Sequence, residues 1–415
     1  MDQEKLVNDI ESAPWHVGEL FETIEDQYGY WNLLLKHILD EYAPLRKVRR
    51  RAKDVPYMTV EWKQPIRKKR KFSKLFSKNP TEENQRLMKM WRNRATNLRR
   101  KSLKQYWKKT SDDMNCNPSK FYKVFKPFLD TKSIGLDNGI IALKQDGNVI
   151  NDPKKVANCF VDYFTHVADD IGDSELLTLT EEEWYDHTIV RRIKDQKKIV
   201  NGPQFQFDKV CIGQVKQALE KINRRKKDGF DRIPGNILCI ASKELSPSLT
   251  KLFNACIEQN YWPLDWKCGE WVPVYKKDDP REMINYRPVT VLSSVGKVFE
   301  KLLGEQITAF MEPRLNDNLT AYRKRNSCET TLVRLVEDWK HMLDNGEVIG
   351  MLSTDLSKAF DSLNPPLMLA KLRAYDFSEQ SIQMMSSYFS CRKNRVRMGS
   401  SIVSEWRQAV RGCPQ

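Results

Sequence analysis

The stretch VIGMLSTDLSKAFDSL, residues 348–363, decides how the rest of the chain is interpreted. Its apolar first part, Val348 to Leu352, predicts a buried strand that delivers a carboxylate, Asp355, at its end. A second carboxylate, Asp361, directly follows the aromatic residue Phe360. A buried strand that stops at an acid is a common way to hold a metal ion against a phosphate. Asp355 could equally start a turn or cap the next helix, and this stretch alone does not decide between the two readings.

The composition narrows the class of protein. The chain has 415 residues, of which 40% are hydrophobic and 30% charged, which suits two or three folded domains. No apolar run approaches the roughly 20 residues that span a bilayer, and the acidic N-terminus lacks the apolar core of a signal peptide. Nine cysteines are scattered without a C-x-x-C pair, so neither a zinc site nor a disulfide framework is supported. We therefore expect an intracellular protein of the nucleus or the cytoplasm, without membrane partners.

The net charge of +15 is concentrated in one block. Residues 46–109 contain 24 Lys and Arg against four acids, a net of +20, so the remainder of the chain has 15 − 20 = −5. A basic block beside a nearly neutral body suggests a polyanionic partner, most plausibly nucleic acid. The alternative is a solvated, solubilising face. The runs RKVRRR (46–51) and RKKRK (67–71) could each serve as a nuclear localisation signal.

Part of the basic block has the pattern of a long helix. Asn79 is a candidate N-cap, Pro80 suits the first helical position, and no Gly or Pro follows before Lys109. Aromatic residues interleave with the basic ones; they could stack on bases or pack inward. The candidate nucleic-acid contacts of the block are Arg67, Lys68, Lys69, Arg70, Arg92, Arg94, Arg99 and Arg100.

Turn and capping residues predict the elements of the remaining chain. Asp146-Gly147, between two apolar runs, predicts a β-hairpin over residues 139–150. The acidic pair in VADDI (167–171) ends an amphipathic helix and indicates a solvated surface. Charged loop residues join strands 270–277 and 286–292 into a second hairpin. Candidate N-caps start three later helices, at Ser327, Asn364 and Ser378.

The order of these pieces resembles the reverse transcriptase, the RNA-directed DNA polymerase, of non-LTR (LINE-type) retrotransposons. The resemblance covers most of the chain from about residue 210 onward. The matching stretches are KKDGFDRIP (226–234), NYRPVTVLSSVGKVFEKLL (285–303), LTAYRKRNSCETTLVRLVEDW (319–339), STDLSKAFDSL (353–363) and RGCPQ (411–415).

This resemblance implies roles for individual residues. Asp355 matches the first metal-binding, catalytic aspartate of the polymerase palm, and Phe360 the bulky residue that sits against the sugar. Lys276 or Lys277, together with Arg287, match the basic residues that hold the triphosphate, and Gln415 matches a glutamine near the incoming nucleotide. Asp361, which follows Phe360, is expected to be structural or to support the ligand residues from behind. The implied cofactor is Mg²⁺, and the implied partners are an RNA template, a DNA primer and nucleoside triphosphates.

Two departures from the family pattern qualify these roles. The turn that usually reads G-P-D is Gly229-Phe230-Asp231 here. The aromatic-x-Asp-Asp turn, which supplies the remaining metal-binding aspartates, is absent from the 415 residues, because every adjacent aspartate pair lies upstream of Asp355. We therefore expect a reverse transcriptase that is C-terminally truncated within the palm, and no polymerisation by this chain.

The sequence thus predicts an α+β fold with the fingers and a partial palm of a right-hand polymerase, preceded by a mainly helical basic N-terminal region. The expected domains are a helical, strongly basic, linker-like region (1–135), a hairpin, helix and polar linker (136–205), and a reverse transcriptase domain (206–415). Two alternatives stay open. The chain could be a non-catalytic RNA- or DNA-binding protein that acts through residues 46–109, or a fragment without a selected function that folds poorly. The sequence does not decide the oligomeric state.

Overall fold

The computed structural model describes residues 2–44, 55–116, 142–145, 147–169, 180–199, 202–224, 226–356, 358–399 and 401–414. The run RKVRRR (46–51), Asp146, Asp170 and Gln415 lie outside the described residues. The structure mixes helices and strands, which confirms the predicted α+β class in outline. No helix in the described ranges is both long and apolar enough to cross a membrane.

Four helices precede residue 117: α1 (Gln3–Ser12), α2 (Ile24–Tyr42), α3 (Val60–Lys78) and α4 (Glu82–Cys116). The next elements are β1 (Leu143–Gln145), β2 (Asn148–Ile150), α5 (Pro153–His166), α6 (Glu181–Tyr185), α7 (Thr188–Gln196), α8 (Ile212–Glu220), α9 (Gly235–Ile240), α10 (Ser242–Glu258) and α11 (Leu264–Lys267). The chain continues with β3 (Cys268–Tyr275), β4 (Tyr286–Val291), α12 (Ser294–Met311), α13 (Cys328–Asp344), α14 (Pro365–Ala374), α15 (Glu379–Phe389), β5 (Lys393–Met398), β6 (Ile402–Val403) and β7 (Arg407–Gln408).

The predicted helix starts at Ser327, Asn364 and Ser378 are confirmed. Each side chain accepts a hydrogen bond from the backbone N–H three residues on, at 3.2, 3.1 and 3.3 Å respectively, as an N-cap does. The start predicted for α4 is wrong by two residues, because Thr81 is the residue whose hydroxyl accepts from a first-turn N–H. Asn79 instead ends α3.

Both predicted hairpins are confirmed. Strands β1 and β2 pair antiparallel around Gly147, whose φ of +80° is a conformation that favours glycine. Strands β3 and β4 also pair antiparallel and form one edge of a larger sheet with the order β4-β3-β5-β6. The β3–β5 pairing is parallel, and β7 pairs with β5.

The chain divides into two compact units, residues 46–138 and the remaining residues 1–45 with 139–415. In the larger unit, α1 and α2 share one hydrophobic core with elements between Phe205 and Met384. Trp31 of α2 is buried there, and its Nε1 donates to Ser248 Oγ of α10 at 3.1 Å. A second core lies between α5 and one face of the sheet, where Phe160 and Phe164 contact Tyr286 and Trp271. The three-domain boundaries expected from the sequence stay a prediction.

The smaller unit is, in its described part, a pair of helices, α3 and α4. Thr59 Oγ1 lies 3.4 Å from Ser102 Oγ between them. Trp62 and Ala95 are buried between the same helices. Trp91, Tyr106 and Trp107 are half-buried, and the side chains of Lys68 and Arg94 lie over the Trp91 ring at 4.3 and 5.4 Å. The aromatic residues therefore serve partly as packing.

The strand predicted for Val348–Leu352 is wrong. Residues 347–356 are irregular, with Val348 97% and Leu352 90% exposed. An extended segment needs a neighbouring strand for its backbone N–H and C=O groups. Among the described residues, none pairs with this segment. The helix before it, α13, also buries none of its side chains.

Candidate functional site

Asp355 lies in the exposed, irregular segment 347–356. Its carboxylate has no hydrogen bond or ion pair with any residue of the described ranges. The lack of a strand at this place leaves Asp355 accessible to solvent rather than held at the edge of a sheet.

The turn after Asp355 is built around Phe360 and Asp361. The backbone N–H groups of Asp361 and Ser362 both donate to the carbonyl of Lys358 at 3.0 Å. Phe360 is 42% exposed, whereas Asp361 is partly buried, and this burial raises the pKa of the Asp361 carboxyl. Asp361 is thus partly buried beside the exposed Phe360, and the roles expected for both residues stay predictions.

The segment around Gly412 clamps this turn. The N–H of Gly412 donates to Leu363 O at 2.8 Å, and the N–H of Cys413 donates to Phe360 O at 3.0 Å. Gly412 has a φ of +82°, and a Cβ atom there would lie 3.0 Å from Asp361 O and 3.1 Å from Phe360 O. Only glycine suits both the conformation and the close approach. The sequence stretches STDLSKAFDSL and RGCPQ therefore meet in space.

The β3–β4 hairpin places two of the predicted basic residues on one face. Val274 is the cross-strand partner of Arg287, and side chains of cross-strand partners share a face. Lys276 follows two residues after Val274, and its N–H donates to Asn285 O at 2.8 Å, so it extends the same alternation. Both cations are exposed and have no ion pair within the described part of the chain.

Lys277 has a different setting from Lys276. Its Nζ lies 3.6 Å from an oxygen of Asp278 in the loop of the hairpin. The structure thus places Lys276 and Arg287 on one face of the hairpin, whereas Lys277 forms an ion pair with Asp278. Within the described residues, no hydrogen bond or ion pair joins Lys276, Lys277 or Arg287 to Asp355.

The eight predicted basic contacts of residues 67–100 are all exposed. None has an ion pair with a described residue, and only Lys68 and Arg94 have a recorded side-chain contact, with Trp91. These side chains are free to neutralise phosphates.

The residues in place do not fit a two-ion Mg²⁺ centre. Such a site needs several carboxylates around the ions, and within the described ranges no group of three His, Cys, Asp or Glu side chains could hold a metal ion. Asp355 is the sole predicted ligand, and it lies on an irregular segment.

An arginine cluster around Glu270 was not predicted from the sequence. Glu270 is fully buried, and its Oε1 accepts from Arg395 Nη2 at 2.6 Å and Nε at 3.0 Å. Arg397 Nη1 lies 2.9 Å from Oε2, and Arg232 Nη2 lies 3.8 Å from Oε1. The alternation of Arg395 and Arg397 with apolar residues, in RVRM, was a signal that both arginines share one face of a strand.

Comparison with known sequences agrees with the resemblance seen in the motifs. The family model described as "Reverse transcriptase (RNA-dependent DNA polymerase)" matches residues 274–415. The chain is 28% identical over 205 residues to the probable RNA-directed DNA polymerase from transposon X-element of Drosophila melanogaster, covering 49% of this chain and 22% of that protein.

Two further relatives are similar at lower identity. The probable RNA-directed DNA polymerase from transposon BS of Drosophila melanogaster is 22% identical over 262 residues, which cover 61% of this chain and 27% of that protein. The RNA-directed DNA polymerase from mobile element jockey of Drosophila funebris is 25% identical over 195 residues, covering 46% and 21%. The chain therefore spans about a fifth to a quarter of the length of the curated relatives it matches.

Proposed function

We propose that this chain, a reverse transcriptase-domain protein related to the RNA-directed DNA polymerases of non-LTR retrotransposons, binds an RNA template, a DNA primer and nucleoside triphosphates. In this proposal the β3–β4 hairpin belongs to the fingers of a right-hand polymerase, and residues 348–415 belong to its palm. The observation that carries the proposal is the pair of exposed, unpaired cations, Lys276 and Arg287, on one face of the hairpin.

The two cations suit different parts of a triphosphate. The Arg287 guanidinium offers a planar fork of donors, and the Lys276 ammonium is a compact charge on a flexible stem. Charge-assisted hydrogen bonds from both would hold the phosphates. Phe360, exposed beside the clamp formed by Gly412 and Cys413, would lie against the sugar. The resemblance in sequence motifs assigns Gln415 to the same nucleotide.

Replacing Arg287 with Gln is expected to weaken nucleoside triphosphate binding about tenfold, since a hydrogen bond to a charged group contributes roughly 1.5–3 kcal/mol. We expect a comparable loss for Lys276→Gln. The measurement is titration of the 415-residue chain with a fluorescent deoxynucleoside triphosphate. The matched control is Arg281→Gln, because Arg281 lies in the loop of the same hairpin and its Nη2 already pairs with Asp279 at 2.9 Å. Equal losses in all three variants would contradict a triphosphate site at Lys276 and Arg287.

We also propose that this 415-residue polypeptide, assayed alone, does not extend a primer. The support is geometric: Asp355 is exposed on an irregular segment and has no second acidic ligand beside it within the described ranges. The assay is primer extension on an RNA template with Mg²⁺, with Asp355→Asn as the comparison. Magnesium-dependent extension that Asp355→Asn abolishes would overturn this proposal and would establish Asp355 as catalytic.

A second candidate function is non-catalytic binding of RNA or DNA by α3 and α4. The observation that favours it is the set of eight exposed basic side chains without ion pairs to described residues. This function needs neither Asp355 nor the hairpin, and deletion of residues 46–109 would abolish it while leaving triphosphate binding in place.

A further inference from the structure

We propose that a small cavity between the sheet and the C-terminal end of α5 binds a phosphate group. The cavity lies on the α5 face of the sheet, because Trp271 and Thr290, which line it, are cross-strand partners on the side that contacts Phe164. Side chains alternate between the two faces along a strand, and Arg287 lies three positions before Thr290 on β4. The cavity and Arg287 therefore lie on opposite faces of the sheet.

The size of the cavity suits one small oxyanion. Its volume is about 40 Å³, which corresponds to roughly three water molecules at 10–15 Å³ each. The floor is formed by the two strand residues Trp271 and Thr290, one wall by Thr165 of α5, and the rim by residues 409–414. A whole nucleotide could enter only with its phosphate end.

Arg392 carries the inference. Arg392 directly precedes β5, is only 3% exposed and lines the cavity. Nη1 donates to the Tyr388 carbonyl at 3.0 Å, and the guanidinium lies 4.8 Å from the centre of the Tyr388 ring. Nη2 is buried and has no hydrogen-bond partner among the described residues. A buried, unpaired guanidinium N–H is costly, so a ligand that accepts from it would bind with a large gain.

The charges around the cavity favour an anion. Two guanidinium groups, those of Arg392 and Arg411, line it together with one carboxyl, that of Asp361. Arg411 Nη1 donates to Ala168 O at 3.1 Å, which fixes that side chain at the rim. Burial raises the pKa of the Asp361 carboxyl. The buried Arg392 guanidinium is the cation that would pair with an anion in the cavity.

Neutral polar groups complete the set of partners. Asn394, which is buried, lines the cavity from β5, and Thr290 lines it from β4. The two oxygens of a carboxylate lie in one plane, so a carboxylate reaches donors on fewer sides of the cavity than a tetrahedral group does. A tetrahedral phosphate, with three or four oxygens, can accept from all of these donors.

Calorimetric titration of the full 415-residue chain with inorganic phosphate, in chloride buffer of constant ionic strength, tests this site. We expect saturable binding that Arg392→Lys weakens at least tenfold, because lysine keeps the charge and loses the fork. Thr290→Val, which keeps the side-chain shape, is expected to weaken binding several-fold. Arg281→Gln, on the loop of the β3–β4 hairpin, is the control and should bind phosphate as the unchanged chain does.

Titrations with a nucleoside monophosphate show whether the bound phosphate is a free ion or part of a larger ligand. If a nucleoside monophosphate binds as well as inorganic phosphate, the site takes the terminal phosphate of a larger ligand. If only inorganic phosphate binds, the site takes the free ion. No saturable phosphate binding by the unchanged chain overturns the proposal, and so does equal binding by Arg392→Lys and Thr290→Val with folding verified by circular dichroism.

Discussion

Replacement of the eight exposed basic residues of α3 and α4 with glutamine is expected to weaken binding of single-stranded RNA about a thousandfold at about 50 mM salt. The replaced residues are Arg67, Lys68, Lys69, Arg70, Arg92, Arg94, Arg99 and Arg100. None has an ion pair with a described residue, so no described acidic side chain neutralises these cations. Glutamine is nearly as good a helix former as lysine and arginine, which keeps the helices intact.

The physical cause of this loss is counterion release. Each cation that neutralises a phosphate of a single strand adds about 0.7 to the slope of log K against log salt. We therefore expect the variant to lose both affinity and most of its salt dependence. Fluorescence anisotropy with a labelled RNA, measured at several salt concentrations, provides both quantities.

The control for this prediction removes positive charge elsewhere. Lys209, Lys216, Lys251 and Lys301 each lie in an ion pair with a glutamate. Their replacement with glutamine changes the net charge of the larger unit without freeing a phosphate-binding group. If this control loses RNA affinity as steeply per charge, binding depends on net charge alone, and α3 and α4 have no special role.

Glu270→Gln is expected to lower the free energy of unfolding of the larger unit by about 3 kcal/mol, the lower end for a broken buried ion pair. Glu270 is fully buried on β3, between Arg395 and Arg397 of β5. Arg397 is itself buried and would lose the carboxylate that compensates its charge. Urea denaturation followed by tryptophan fluorescence measures the change as a lower midpoint at constant slope.

Glu405→Gln is the matched control for Glu270→Gln. Its carboxylate is exposed, and Arg407 Nη1 lies 3.4 Å from it. An exposed pair contributes roughly 0–1 kcal/mol. Arg397 Nη2 also donates to the Asp228 carbonyl at 3.1 Å. A Glu270 variant that unfolds at the same urea concentration as the Glu405 variant would contradict the prediction and show that Arg397 does not depend on the Glu270 carboxylate.

The local signals in the sequence predicted much of the larger unit. Ser327, Asn364 and Ser378 each satisfy a backbone N–H of the helix that they precede, which is a property of a few consecutive residues. The juxtaposition of Lys276 and Arg287 also follows from local pattern, since the hairpin register and the alternation of strand faces determine it.

Other features depend on contacts between distant parts of the chain. The pairing of Glu270 with Arg395 joins residues 125 positions apart through a parallel strand pair. The hydrogen bond from Gly412 to Leu363 depends on the position of two turns. The apolar run Val348–Leu352 has the composition of a buried strand, yet composition does not supply the strand that must pair with it. For this reason the sequence motif singles out Asp355, whose catalytic role stays a prediction, while the structure around Asp355 could not be predicted.

The burial of Trp31 against α10 has a consequence for synthesis of the protein. The hydrogen bond from Trp31 to Ser248 joins residues 217 positions apart. At roughly 5–20 residues per second, a ribosome needs about 10 to 40 seconds to make the intervening chain. During that time α1 and α2 have left the ribosome without the core that covers Leu6, Ile10 and Trp31. The apolar side chains of α1 and α2 thus stay uncovered until α10 has been made, and exposed apolar surface of this kind is what chaperones bind.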